Sequence, residues 1–227
     1  LSPAFARSRK AEAGLVCHAT AADVAAAFDA AMAWDAPAEV RAAVLNRTAD
    51  LLEAREGEIL ALLAREAGKT LGDAISELRA AVDFLRYYAG EAPALQAPAR
   101  GIFAGISPWN FPLAIFTGQV AAALAAGNAV LAKPAGQTPL IAHLAVTLLH
   151  EAGVPRAALQ FLPGDGRSVG AALTADPRVK GVAFTGSTAT ALGIRKSLSL
   201  HAPEAVLIAE TGGLNAMIVD STALPEQ

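Results

Sequence analysis

With 227 residues, 54% of them hydrophobic and 17% charged, the chain has the makeup of a well-buried α/β domain, not of a disordered segment. A formal net charge of -3 and the lack of any long Lys/Arg run argue against a nucleic-acid partner. No apolar segment reaches the roughly 18 to 20 residues of a membrane span, and the single cysteine, Cys17, forbids an internal disulfide framework and suits a reducing, cytoplasmic compartment.

Residues 1–19 have no clear period and read as a loosely ordered arm. They carry basic residues but no long apolar core, so no secretory signal is expected, and Leu1 is not a natural start residue. From residue 20 the pattern is helical. Thr20-Ala-Ala-Asp23 has capping-box spacing with Asp in place of the usual Glu and opens an alanine-rich helix to about Trp34. A second helix is predicted from about Ala38 to Glu56, with Val44, Leu51 and Leu52 on one face, and a third from Glu58 to Glu66. Thr70-Leu-Gly-Asp73 starts a fourth, whose stripe of Leu71, Ile75, Leu78, Val82 and Leu85 is expected to pack inward. These helices, residues 20–89, read as a scaffold layer laid against a sheet. Gly90–Arg100, rich in proline and alanine, reads as a linker.

From residue 101 short apolar runs alternate with longer amphipathic segments. Strands are predicted over 101–107, 128–133, 158–162, 180–184, 205–209 and 214–219, and helices over 112–126, 139–152, 167–175 and 188–200. Such alternation implies a parallel, Rossmann-like sheet with right-handed crossovers, flanked by helices. Ligands of such sheets sit at the carboxyl ends of the strands, so the residues there are the candidates for function. The first is Asn110, carried on the turn Ser107-Pro-Trp-Asn-Phe-Pro112 between two prolines and two aromatics. Lys133-Pro134 ends the second strand, where a ribose or phosphate would lie; taken alone it reads equally as a surface lysine. Pro163-Gly-Asp-Gly166 and Phe184-Thr-Gly-Ser-Thr188 each put small residues at a helix start, a geometry that suits a pyrophosphate but also an ordinary capped turn. Glu210, before Gly212-Gly213, is a candidate general base that burial would bring near working pH, or a plain turn carboxylate. The four histidines show no metal-ligand spacing, and no metal site is expected.

Taken together, Pro108-Trp-Asn-Phe-Pro112, Lys133-Pro134, Phe184-Thr-Gly-Ser187 and Glu210-Thr-Gly-Gly213 resemble the aldehyde dehydrogenase superfamily over residues 20 to 227. The runs Ser107–Gln119 and Leu207–Asp220, with Thr211 and Ala191, are similar to its L-glutamate-γ-semialdehyde (Δ1-pyrroline-5-carboxylate) dehydrogenase branch, found in bifunctional proline-utilisation proteins. The resemblance implies a cofactor, NAD or NADP, and assigns roles. Asn110 would donate to the oxyanion, Glu210 would activate water, and Lys133 would hold the adenosine ribose. Gly186 and Ser187 would face the pyrophosphate, Phe184, Gly166 and Ser107 would line the groove, and Trp109 would lie near the nicotinamide.

It also implies a small-molecule aldehyde substrate and an upstream proline dehydrogenase domain. The family's nucleophilic cysteine is expected beyond Gln227, so the chain reads as the NAD-binding part, residues 20–227, of a longer enzyme, inactive without its catalytic and oligomerisation parts. An apolar face is expected where those parts dock. A glutamate the family commonly carries three residues after the lysine is here Gly136, which leaves the NAD/NADP preference open. Two other readings stand beside this one: a non-catalytic nucleotide-binding or interaction module, and an aldehyde dehydrogenase for another aldehyde such as succinate semialdehyde.

Overall fold

The computed structural model describes residues 14–95, 97–213, 218 and 220. The strand expected over 214–219 and most of the N-terminal arm lie outside the described residues. Of the arm, residues 14–19 carry no helix or strand, and Ala19 donates its N–H to Pro163 O at 2.7 Å.

Among the described residues four helices come first: α1 (Ala21–Ala30), α2 (Ala38–Ala54), α3 (Glu56–Glu66) and α4 (Leu71–Glu91). Thr20 and Asp23 form the expected reciprocal capping box, and Thr70 caps α4 by accepting from the Asp73 N–H. Three expectations are corrected. Helix α1 stops at Ala30, short of Trp34, because the next stretch bonds elsewhere: Met32 N–H reaches Ala157 O and Trp34 N–H reaches Gly127 O, both in the turns that lead into strands. Helix α4 runs through Gly90 and is followed by a 3₁₀ turn, Ala92–Ala94, so the linker is shorter than expected. The cost of an interior glycine, about 1 kcal/mol, is offset by a buried face that continues through Leu85, Ala89 and Ala92. Within α4, Leu71 and Ile75 are exposed, and the buried face is Ala74, Glu77, Leu78, Ala81, Val82 and Leu85. A 4-3 spacing drifts around a helix of 3.6 residues per turn, and alanines at the contact let the neighbouring helices approach. On α2, similarly, the buried positions are Leu45, Thr48, Ala49 and Leu52, while Val44 and Leu51 are half-buried.

Five parallel strands follow: β1 (Ile102–Ile106), β2 (Ala129–Lys133), β3 (Leu159–Phe161), β4 (Val179–Gly186) and β5 (Val206–Thr211). Their order is β3-β2-β1-β4-β5. The crossovers are α5 (Ala114–Ala125), α6 (Pro139–Ala152), a π-turn at Gly166–Gly170 running into the short α7 (Ala171–Ala175), and α8 (Thr188–His201). The chain therefore starts at β1, winds outward to β3, and returns to the other side of β1. That reversal leaves a crevice between β1 and β4 at their carboxyl ends.

Side chains alternate across each strand, and the two cores show which face each belongs to. Phe103, Val130, Ala132 and Leu159 pack with α5, α6 and, beyond these, α2 and α4. Ala104, Ile106, Leu131, Val182 and Phe184 pack with α1, α7 and α8. Helices α2–α4 thus lie on α5 and α6, the helices that cover the sheet, as a third layer. Within the sheet, Gly181 pairs with Phe103, and a Cβ there would meet the ring at 2.2 Å. Gly181→Ala should therefore destabilise the fold by about 1–3 kcal/mol or more, read as a lower denaturation midpoint; an unchanged midpoint would contradict this packing.

Among the described residues no helix is long and apolar enough to cross a membrane.

Candidate functional site

The called residues converge on the carboxyl edge of the sheet. Ile106, the last residue of β1, pairs with Lys133 on one side and Phe184 on the other. One step further, Thr185 pairs with Glu210. Ser107 follows β1 directly and donates its N–H to Lys133 O at 3.2 Å. The motifs, far apart in sequence, form one row across four adjacent strands.

Register and alternation divide that row by face. Lys133 shares the face of Leu131, which is that of α7 and α8. Consistently, its stem lies beside Gly170 of the π-turn, where a Cβ would be 3.8 Å from Lys133 Cε. The Gly166 turn and the Ser187 helix start belong to this side. Glu210 and Thr185 share the opposite face, that of α5, and Asn110 sits on the turn leading into α5. Gln119 of α5 donates to Thr185 Oγ1 at 3.2 Å across that face.

On the first side Lys133 is only 4% exposed, so it is no surface lysine. Its Nζ donates to Pro134 O at 2.8 Å, one of three donors of an ammonium. Burial pushes its pKa down, and Asp165 works weakly the other way. Asp165 caps the π-turn through the N–H groups of Arg167 and Ser168 at 2.7 and 2.8 Å, which hold its carboxyl below the usual range. Gly166 opens onto free space, while Gly164 is closed in: a Cβ there would meet Val169 at 2.4 Å. Ser187 is the N-cap of α8, its Oγ accepting from Thr190 N–H at 3.2 Å. Its side chain is thus occupied, and its contribution to an anion would come through the backbone. Phe184 belongs to the core, with its ring folded against Gly186, where a Cβ would lie 2.6 Å from it. It shapes the groove floor from within.

On the second side Trp109 is 58% exposed and Asn110 is exposed beside it. Glu210 corrects an expectation: it lies inside β5, not after it, and it is exposed, not buried. Gly212, at φ +70, turns the chain just after β5 in a conformation that favours glycine. No group of three or more His, Cys, Asp or Glu side chains suits a metal among the described residues. His143 stacks edge-on with Phe161 and His150 pairs with Val154 O, ordinary structural uses.

Two residues that carry this site went unnoticed in the sequence. Glu66, at the end of α3, accepts from Leu140 N–H at 2.7 Å and Ile141 N–H at 2.9 Å, which holds the start of α6 after β2; its partial burial pushes its pKa up. Glu77, on α4, accepts from Leu113 N–H at 2.8 Å at the start of α5. A lone glutamate on a helix that supplies the core, as at 77, was the available signal.

The strand-end row leaves polar capacity unfilled. Ser107 Oγ is buried without a partner at the crevice, as is Thr138 Oγ1 just beyond the Lys133 loop, and Lys133 has donors to spare. Buried polar atoms without partners are uncommon, and these fit a polyhydroxylated, anionic group such as a dinucleotide.

A doubly wound parallel sheet with this row at its switch point defines a Rossmann-type α/β domain. More particularly, the model of the Aldehyde dehydrogenase family matches residues 3–226, and the chain belongs to that family. It is 54% identical over 229 residues to the bifunctional protein PutA of Escherichia coli K12, covering 94% of this chain and 17% of that protein. It is 38% identical to the 1-pyrroline-5-carboxylate dehydrogenase of Anoxybacillus flavithermus, covering 86% of this chain and 42% of that one. The fold matches the crystal structure of a Bradyrhizobium japonicum PutA mutant with a TM-score of 0.84 at 53% identity, over 93% of this chain and 24% of that chain. A mutant of Thermus thermophilus 1-pyrroline-5-carboxylate dehydrogenase matches at 0.80 and 36% identity, over 87% and 43%. The chain thus spans less than half the length of the relatives it matches.

Proposed function

We propose that these residues are the NAD-binding portion of an aldehyde dehydrogenase that oxidises L-glutamate-γ-semialdehyde to L-glutamate. The observation that carries the reading is the division of the strand-end row: Lys133 and the two small-residue turns on one face, Asn110 and Glu210 on the other. A dinucleotide laid over the carboxyl edge has its adenosine end on the first side and its reactive end toward the second. The substrate rests on the names of the relatives.

Lys133 would hold the adenosine ribose with its free donors, Ser107 Oγ would take a further polar contact, and the N–H groups at the start of α8 would face the pyrophosphate. Bound NAD would supply the hydride acceptor. On the other side, the Asn110 side-chain amide would donate to the oxyanion formed when a thiolate attacks the aldehyde carbon. Glu210, open to solvent, would take a proton from the water that releases the acid. The attacking thiolate would come from further polypeptide, since the single cysteine, Cys17, lies in the segment leading to α1. Trp109, Phe111 and Ile208 are exposed on the Asn110–Glu210 side and form the apolar surface against which such a domain would rest. An associated proline dehydrogenase domain follows from the same likeness.

At Gly136, where the family resemblance implies a glutamate, a Cβ would meet only Gly164 O, at 4.0 Å, and the choice between NAD and NADP is left to titration with both. Calorimetric titration of this chain with NAD tests the proposal. Saturable heat at or below millimolar NAD is expected; no heat at that concentration would overturn it.

A further inference from the structure

The N-terminal helices reach into the site through Glu77. Its side chain is fully buried, its Oε1 accepts from Leu113 N–H at 2.8 Å and from Ala114 N–H at 3.3 Å, and its Oε2 pairs with Lys69 Nζ at 2.8 Å. Helix α5 has no side-chain cap from its own sequence. The orphan N–H groups of its first turn are therefore met by a carboxylate 36 residues earlier. Lys69 Nζ also stands 4.2 Å from the centre of the Phe111 ring. Phe111 and Leu113 flank Pro112, so the Glu77–Lys69 pair grips the chain at two points immediately after Asn110.

A buried ion pair is a poor source of stability, and well-packed apolar residues often serve as well. What such a pair does provide is direction: one carboxylate fork, two N–H groups and one cation over a ring admit a single placement of the turn. We propose that Glu77, with Lys69 as its counter-ion, is a positioning residue that orients the Trp109–Asn110 turn from outside the sheet. Its consequence for catalysis rests on the reading of Asn110 as an oxyanion donor, but the placement itself is measurable without any reaction.

The test uses this chain in a Trp34→Phe background, which leaves Trp109 as the one tryptophan. The neutral, apolar pair Lys69→Met with Glu77→Leu is compared with Glu77→Gln, which keeps an acceptor for the two N–H groups but leaves Lys69 without its counter-ion. In the apolar pair the melting midpoint should fall, because the buried N–H groups of Leu113 and Ala114 lose their acceptor. The amides of Leu113 and Ala114 should exchange about tenfold faster relative to those of β1, and the steady-state anisotropy of Trp109 should fall. Glu77→Gln should show the same changes in smaller degree. If both variants keep the parent's exchange at Leu113 and Ala114 and its Trp109 anisotropy, the positioning role is wrong, whatever happens to the melting midpoint. If the placement is lost but Asn110→Ala proves harmless to turnover, the positioning stands and the oxyanion reading falls.

Discussion

In a chain extended to the length of its relatives, Asn110→Ala is expected to lower kcat for L-glutamate-γ-semialdehyde by about 100- to 1,000-fold. The side-chain amide is an exposed neutral donor on the β1–α5 turn, and an oxyanion exists only during the chemical step. The loss should therefore appear in kcat, with NAD affinity unchanged, because the turn that carries Asn110 leads into α5, which packs on the face opposite Lys133. The measurement is steady-state turnover with a parallel NAD titration. An unchanged kcat would remove the oxyanion role, and equal turnover of succinate semialdehyde would shift the substrate assignment while leaving the mechanism in place.

Lys133→Met is expected to weaken NAD binding by about ten- to one hundred-fold, the range for a lost hydrogen bond from a charged donor. Methionine preserves much of the buried stem against Gly170, so the loss reports the ammonium and not a collapsed loop. Because burial disfavours the charged form of Lys133, a ligand that accepts its hydrogen bonds binds the protonated state and raises its pKa. Calorimetry on the unextended chain gives the answer. Binding that survives Lys133→Met would place the ribose elsewhere, and binding lost equally in Asn110→Ala would end the division of roles between the two faces.

Much of this was legible in the residues themselves. Strand β2 and helix α6 fall where their apolar runs and breakers put them, with α6 bounded by Pro139 and by Gly153 at φ +123. The capping box at Thr20 and the Ser187 turn are written in adjacent residues and need nothing else to form. The misreadings share a cause. Trp34 carried a helical pattern, but its N–H is claimed by Gly127 from another part of the chain. Leu71 and Ile75 fitted a stripe, but the first turns of α4 bury Ala74 and Glu77 instead and leave both exposed.

The ends of β1 and β2, and with them the candidates Asn110 and Lys133, were legible from local spacing, because proline, glycine and apolar alternation act on their own neighbours. Tertiary structure decided the rest. The order β3-β2-β1-β4-β5 put β1 and β4 side by side and made the crevice between them. Parallel register then assigned Lys133 to one face and Glu210 to the other, buried the first and left the second in solvent. The carboxylates of Glu66 and Glu77 cap helices 74 and 36 residues away. No periodicity encodes such pairings, because they exist only once a layer of helices has been folded onto the sheet that carries the site.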